Sequence, residues 1–173
     1  MNRRVLQELS ITNYPINCWP QGWGKRTLLM GVVNITPDSF SDGGLYLEPL
    51  KAVAHAKELI DQGADVIDLG AQSTRPGAKE ITSDEEKNRL LPVLRSLKEY
   101  YPEIIISVDT FNSTVARIAL EEGACWINDV SGGVRDPKML SLISDSKCPY
   151  VLMHSRGDSN SMQKLTNYSD IVQ

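Results

Sequence analysis

The chain has 173 residues, of which 41% are hydrophobic and 23% charged, and its formal net charge is -4. This composition is typical of a soluble globular domain and excludes a largely disordered chain. The 18 basic residues form no run or stripe, which argues against nucleic-acid binding, and no stretch approaches the roughly 18 apolar residues of a membrane span.

Five apolar runs predict five short strands. After an N-terminal leader over residues 1–25, the runs lie at residues 28–33, 66–69, 104–108, 125–127 and 150–153. They lack regular polar alternation, which is typical of parallel strands covered on both faces. Helical patterns fill the gaps between them, and the resulting βαβαβαβαβ order favours right-handed parallel crossovers.

The helices are predicted from apolar spacing and terminal signals. The first carries a stripe that ends before Gly63 and consists of Leu50, Val53, Ala56 and Ile60. In the second, Ser83 and Glu86 form a capping-box pattern before a stripe of Leu90, Leu94, Leu97 and Tyr101. We expect Asn112 to cap the third helix and Pro137 to begin the fourth.

Polar residues follow every predicted strand. In a βα barrel the loops after the carboxyl ends of the strands form the active face. The candidate groups at these ends are Asn34, residues 72–75, Asp109, Asn128 with Asp129, and His154 with Arg156. The segment 34–44 is too polar and too long for a simple connector, so we interpret it as an active-site loop.

Residues 30–44, with the sequence MGVVNITPDSFSDGG, closely resemble the first signature of the dihydropteroate synthases. Further matches follow in that family's order at residues 63–70, 73–77, 107–110, 127–133 and 153–154. The resemblance implies a TIM (β/α)8 barrel, which usually needs about 250 residues. We therefore expect residues 26–173 to form the N-terminal part of such a pterin-binding domain, an incomplete barrel of about five βα units. Exposed sheet edges would then favour self-association.

The resemblance implies condensation of 6-hydroxymethyl-7,8-dihydropterin pyrophosphate with p-aminobenzoate, dependent on Mg²⁺. It also suggests a homodimer. Related enzymes use an acid, a lysine and an arginine-histidine pair from later strands, so we expect the chain alone to be inactive. Ala71 and Gln72 stand where many related sequences have Gly-Glu.

The family pattern also implies roles for individual residues. Asn34, a hard oxygen donor suited to Mg²⁺, is the expected metal ligand. The expected catalytic residues are Asn34, Asp38, Ser39 and Arg75. The expected substrate-binding residues are Thr36, Pro37, Phe40, Thr74, Asp109, Asn128 and His154. Independently of the family, an acid and an amide such as Asp109 and Asn128 match the donors and acceptors of an amino-pyrimidine edge.

Two other classes of protein share part of this pattern. A methyltetrahydrofolate-binding barrel of the corrinoid methyltransferase type has the acid and the amide, but is expected to lack the loop over residues 36–44. A non-catalytic pterin-binding half-barrel is the other alternative. Lysine-bearing βα units in the downstream coding sequence would identify the synthase.

The three cysteines, Cys18, Cys125 and Cys148, are widely spaced and form no CxxC motif. This predicts neither a disulfide framework nor a zinc site and fits a reducing compartment. The N-terminal residues contain no uninterrupted apolar segment, so we predict no signal peptide. We expect a cytoplasmic protein.

Overall fold

Helices and strands alternate along the chain in a computed structural model, which describes residues 18–36, 47–73, 80–154, 156–157 and 161–172. The strands are β1 (Met30–Asn34), β2 (Val66–Gly70), β3 (Ile105–Asp109), β4 (Trp126–Asp129) and β5 (Tyr150–Leu152). The helices are α1 (Leu47–Asp61), α2 (Ser83–Tyr100), α3 (Ser113–Glu121) and α4 (Met139–Ser146), and a short 3₁₀ turn follows at Met162–Lys164.

The strands form one parallel sheet in chain order, β1-β2-β3-β4-β5. This confirms the predicted strands and their parallel order. Strands β1 and β5 lie at the two edges, and each has one side without a partner among the described strands. Self-association through these edges stays a prediction.

The main core lies between the helices and one face of the sheet, which we call the outer face. Its fully buried strand residues alternate along β1, β2, β3 and β4, because successive side chains of a strand point to opposite faces. They are Val33, Ile67, Leu69, Ile106, Val108 and Ile127. The helices cover them with Ala52, Ala56, Leu90, Leu94, Leu97, Val115 and Ala119.

The end of α1 packs unusually close to β1. A Cβ atom placed on Gly31 would stand 2.9 Å from Leu59 Cδ1, so only glycine fits this contact without a shift. The predicted stripe of α1 was partly wrong, because Leu50 is 67% exposed while Ala52, which was not in the stripe, is fully buried; Ala56 is buried as predicted. Small side chains face the sheet here because they allow the helix to approach it closely.

The predicted cap of α3 is confirmed, whereas the cap of α2 lies one residue earlier than expected. Asn112 Oδ1 accepts hydrogen bonds from the backbone N–H groups of Thr114 and Val115, at 2.9 and 3.3 Å. For α2, Thr82 Oγ1 accepts from the backbone N–H of Glu85 at 3.2 Å. Glu86 is therefore free of a capping role and is buried.

A second cluster closes the amino end of the other face of the sheet, which we call the inner face. It contains Cys18, Val66, Ile105, Cys125 and Trp126, with Trp19 packed against it. The indole N–H of Trp126 donates to the Cys18 carbonyl at 2.6 Å. The described end of the leader is thus held against β4. The three cysteines are free and buried.

Trp126→Phe is expected to lower the free energy of unfolding by about 1–2 kcal/mol, because the buried Cys18 carbonyl loses its donor. Urea unfolding followed by circular dichroism measures this change. Trp23→Phe is the matched control, since Trp23 belongs to the same aromatic cluster but is 50% exposed. Equal losses for the two variants would contradict a special role for the Trp126 hydrogen bond.

Candidate functional site

Four residues form a row across the carboxyl ends of four adjacent strands. In the strand register Asn34 pairs with Gly70, Gly70 with Asp109, and Asp109 with Asn128. Residues paired in register point to the same face of a sheet, here the inner face. A Cβ atom on Gly70 would lie 3.6 Å from both Asn34 Oδ1 and Asp109 Oδ2. We call these four residues the carboxyl row; the missing side chain of Gly70 leaves a gap within it.

The inner face is concave beneath the carboxyl row. Asn128 Nδ2 on β4 donates to Asp68 Oδ2 on β2 at 3.1 Å, although β3 lies between these strands. Strands two positions apart in a flat sheet are about 9–10 Å apart. Since the two side chains meet directly, the sheet curves so that its inner side chains converge, as in a βα barrel.

Asp109 supplies the single carboxyl group of the row, and the pKa of that group is strongly raised. Burial, together with the negative charges of Asp68, Glu86 and Asp129, raises its pKa to about 7. A partly desolvated carboxylate gains more than a solvated one from a ligand that donates hydrogen bonds. The site therefore favours a ligand with N–H donors opposite Asp109.

Asp68 and Ser107 form a second polar layer one step below the row. They pair in the strand register and are almost completely buried. Asp68 Oδ1 and Ser107 Oγ have no hydrogen-bond partner among the described residues. Burial raises the pKa of Asp68, an effect that the polar side chains of Ser107 and Asn128 oppose.

Asp129 is the last residue of β4, and its side chain holds the turn that follows. Its carboxylate accepts from the backbone N–H groups of Ser131 and Gly133 at 2.7 and 2.9 Å. It also accepts from the Tyr150 hydroxyl at 2.7 Å, while burial and this hydrogen bond raise the pKa of Tyr150. Asp129 thus stabilises the connection to α4 and ties β4 to β5.

Gln72 bridges the two stems of the loop after β2. Its Nε2 donates to the Ser73 carbonyl at 3.1 Å, and its Oε1 accepts from the Ile81 backbone N–H at 3.0 Å. A glutamate here would have no donor for the Ser73 carbonyl. The glutamine that replaces the acid of many related sequences therefore suits this bridge.

The other predicted site residues are placed less fully. Thr36 is half-buried just after β1, and His154 is exposed after β5. His154 Nε2 lies 3.1 Å from the Tyr168 hydroxyl, and the Arg156 guanidinium lies over the Tyr168 ring. Six predicted residues lie outside the described residues: Pro37, Asp38, Ser39, Phe40, Thr74 and Arg75.

Two buried acids were missed by the sequence analysis. Asp68 is 3% exposed within an otherwise apolar strand, and this unusual position was the available signal. Glu86 is also 3% exposed; burial raises its pKa, and a hydrogen bond with Thr110 offsets part of this rise. Its spacing from Ser83 fitted a capping box, so the sequence analysis did not predict that Glu86 is buried.

The described residues contain no group of three or more His, Cys, Asp or Glu side chains arranged to hold a metal ion. No helix in the same part of the chain is long and apolar enough to span a membrane.

The chain-order parallel sheet, its covering helices and the polar carboxyl row define a TIM-barrel type protein with a candidate ligand site at the carboxyl ends of its strands. The chain belongs to the family described as pterin binding enzyme, whose sequence profile matches residues 30–173. It is 45% identical over 150 residues to dihydropteroate synthase from Synechocystis, an alignment that covers 87% of this chain and 52% of the relative. The chain thus spans about half the length of that relative.

Solved structures agree with this assignment. A dihydropteroate synthase from Clostridium difficile, determined in the presence of pteroic acid, superposes with a TM-score of 0.76 at 44% identity, over 86% of this chain and 54% of that one. The Xanthomonas albilineans synthase with 4-aminobenzoic acid gives a TM-score of 0.74 at 42% identity, over 85% of this chain and 51% of that one. The predicted incomplete TIM barrel of about five βα units is confirmed.

Proposed function

We propose that this chain supplies the pterin-recognition part of a dihydropteroate synthase. The observation that carries the proposal is the adjacent pair Asp109 and Asn128 beside the gap over Gly70. A carboxylate and an amide side by side match the neighbouring N–H and carbonyl groups of an amino-pyrimidine edge. The missing side chain lets a flat ring lie over Gly70.

In the proposed reaction the arylamine nitrogen of p-aminobenzoate attacks the methylene carbon of 6-hydroxymethyl-7,8-dihydropterin pyrophosphate. A C–N bond forms, the C–O bond to pyrophosphate breaks, and the amine loses a proton. The part of this chain is to orient the pterin, since positioning alone contributes strongly to such a displacement. Among the described residues, Asp109 and Asn128 are proposed to fix the ring.

Asn34 fits Mg²⁺ as a single protein ligand. Its side chain is exposed at the end of β1, with Oδ1 directed towards the space over Gly70. Mg²⁺ normally keeps several waters and uses substrate phosphates as further ligands, so one amide oxygen suffices. When bound, the ion would neutralise negative charge on the leaving pyrophosphate.

The remaining roles are proposed from the family resemblance. Asp38, Ser39 and Arg75 assist the displacement, and Thr36, Pro37, Phe40, Thr74 and His154 contact substrate. The synthase names of the relatives favour this function over a methyltetrahydrofolate-binding methyltransferase barrel. A cytoplasmic location and a homodimer belong to the same proposal.

A chimeric enzyme tests the proposal directly. The matching segment of the Synechocystis synthase is replaced by this chain, and dihydropteroate formation is measured with both substrates and Mg²⁺. We expect product from the chimera and a loss of about 100-fold or more with Asp109→Ala, since an unpaired ligand edge costs several kcal/mol. Leu50→Ala, at a position that is 67% exposed on α1, is the control and should retain activity. A folded chimera without product would contradict the proposed function.

A further inference from the structure

Asp68 fixes the orientation of the Asn128 side chain. It is 3% exposed, and its Oδ2 accepts from Asn128 Nδ2 at 3.1 Å. Since the Asp68 oxygen is the acceptor of this hydrogen bond, the NH₂ end of the amide faces it. A reversed amide would place two oxygen atoms against each other in a buried site, which is costly.

This contact determines which end of the Asn128 amide remains for a ligand. The NH₂ end is held by Asp68, so the carbonyl oxygen is the end not used by that contact. The backbone of Asn128 is fixed as well, since its carbonyl accepts from the Thr110 N–H at 3.0 Å. A ligand group placed opposite the Asn128 side-chain oxygen therefore meets an acceptor and must be a donor.

We propose that Asp68 is a positioning residue that makes the site select an amino-substituted heterocycle over its oxo-substituted counterpart. The inference rests on the proposed pterin-binding function and adds to it a residue that does not itself touch the ligand. If Asn128 were free to rotate, its NH₂ group would pair equally well with an oxo group, and the discrimination would disappear. Sites built around fixed hydrogen-bond polarity reject mismatched ligands strongly, because a buried polar group is left unpaired.

Asp68→Asn is a matched conservative variant, because the neighbouring Ser107 can face the new amide group. Ser107 Oγ and Asp68 Oδ1 both lack a partner among the described residues. In Asp68→Asn, the amide oxygen can still accept from Asn128 while the new NH₂ group faces the Ser107 hydroxyl. Asp68→Asn should therefore preserve the orientation of Asn128, and Asp68→Ala should release it.

The first test compares binding of pterin with binding of lumazine, which carries an oxo group in place of the 2-amino group. Both are titrated by fluorescence into the whole chain. We expect the wild type and Asp68→Asn to prefer pterin by at least about 30-fold, as one mispaired polar group costs about 2 kcal/mol. In Asp68→Ala this ratio should fall to within about threefold of unity.

The outcomes separate the inference from the proposed function. A preference retained by folded Asp68→Ala overturns the inference and leaves pterin binding intact. Equal binding of pterin and lumazine by the wild type does the same. A wild-type chain that binds neither compound overturns the proposed function and, with it, the inference.

A second measurement needs no ligand. The side-chain NH₂ group of Asn128, assigned by its disappearance in Asn128→Ala, is followed by ¹⁵N relaxation. We expect it to be rigid in the wild type and in Asp68→Asn, and mobile on the nanosecond scale in Asp68→Ala. A mobile group in the wild type overturns the inference, and this reading holds even if Asp68→Ala does not fold.

Discussion

Asp109→Asn is expected to raise the free energy of unfolding by about 3–4 kcal/mol at about pH 8, and to leave it almost unchanged at about pH 4. Burial and the neighbouring negative charges together raise the pKa of Asp109 to about 7, so the folded chain binds more protons than the unfolded chain between about pH 4 and pH 7. Stability from this group is therefore present at low pH and is lost as the pH rises through that window. The neutral amide removes the loss.

Urea unfolding at a series of pH values measures this effect. Asp136→Asn is the matched control, since hydrogen bonds from Ser113 lower the pKa of Asp136. That variant should lose stability above about pH 4, which is the opposite sign. If the wild type and Asp109→Asn showed the same pH dependence, the electrostatic description of the carboxyl row would be wrong.

Gly70→Val should weaken pterin binding by about 100-fold while the chain still folds. Valine is favoured in strands, and Gly70 is not among the glycines with positive φ. The γ-carbons of the valine, however, would fill the gap between Asn34 and Asp109, over which the pterin ring is proposed to lie. Fluorescence titration with pterin, together with circular dichroism, measures both effects.

Gly70→Ala separates filling of the gap from general disturbance. Its methyl group would make ordinary contacts of 3.6 Å with Asn34 and Asp109, so we expect a smaller loss of affinity than in Gly70→Val. Unchanged pterin affinity in a folded Gly70→Val chain would show that the ligand does not lie over Gly70.

Local signals were sufficient for much of the fold and for part of the site. The apolar runs identified the strands, and Asn112 was recognisable as a cap because capping depends on adjacent residues. Asp109 and Asn128 were predicted to lie together because parallel strands end at the same edge of the sheet. Their pairing in register agrees with that expectation.

The remaining features depend on tertiary geometry. Asp68 reaches Asn128 only because the sheet curves across β3, and no sequence spacing encodes that curvature. Thr82 and Ser83 are both suitable N-cap residues, so the sequence alone did not decide at which of them α2 begins. Leu50 faces solvent because the fit of a helix against a sheet depends on the size of side chains as well as their hydrophobicity.

The chain-order sheet also bears on how the protein is assembled during synthesis. Each strand pairs with the one made just before it, so each βα unit can dock as it leaves the ribosome. The Trp126 to Cys18 hydrogen bond instead joins residues 108 positions apart. This hydrogen bond forms only after β4 has emerged, so the second cluster, at the amino end of the inner face, is completed after β1, β2 and β3 have been made. Until then Val66 and Ile105 lack the cover of Trp126, and the amino end of the inner face stays open to solvent.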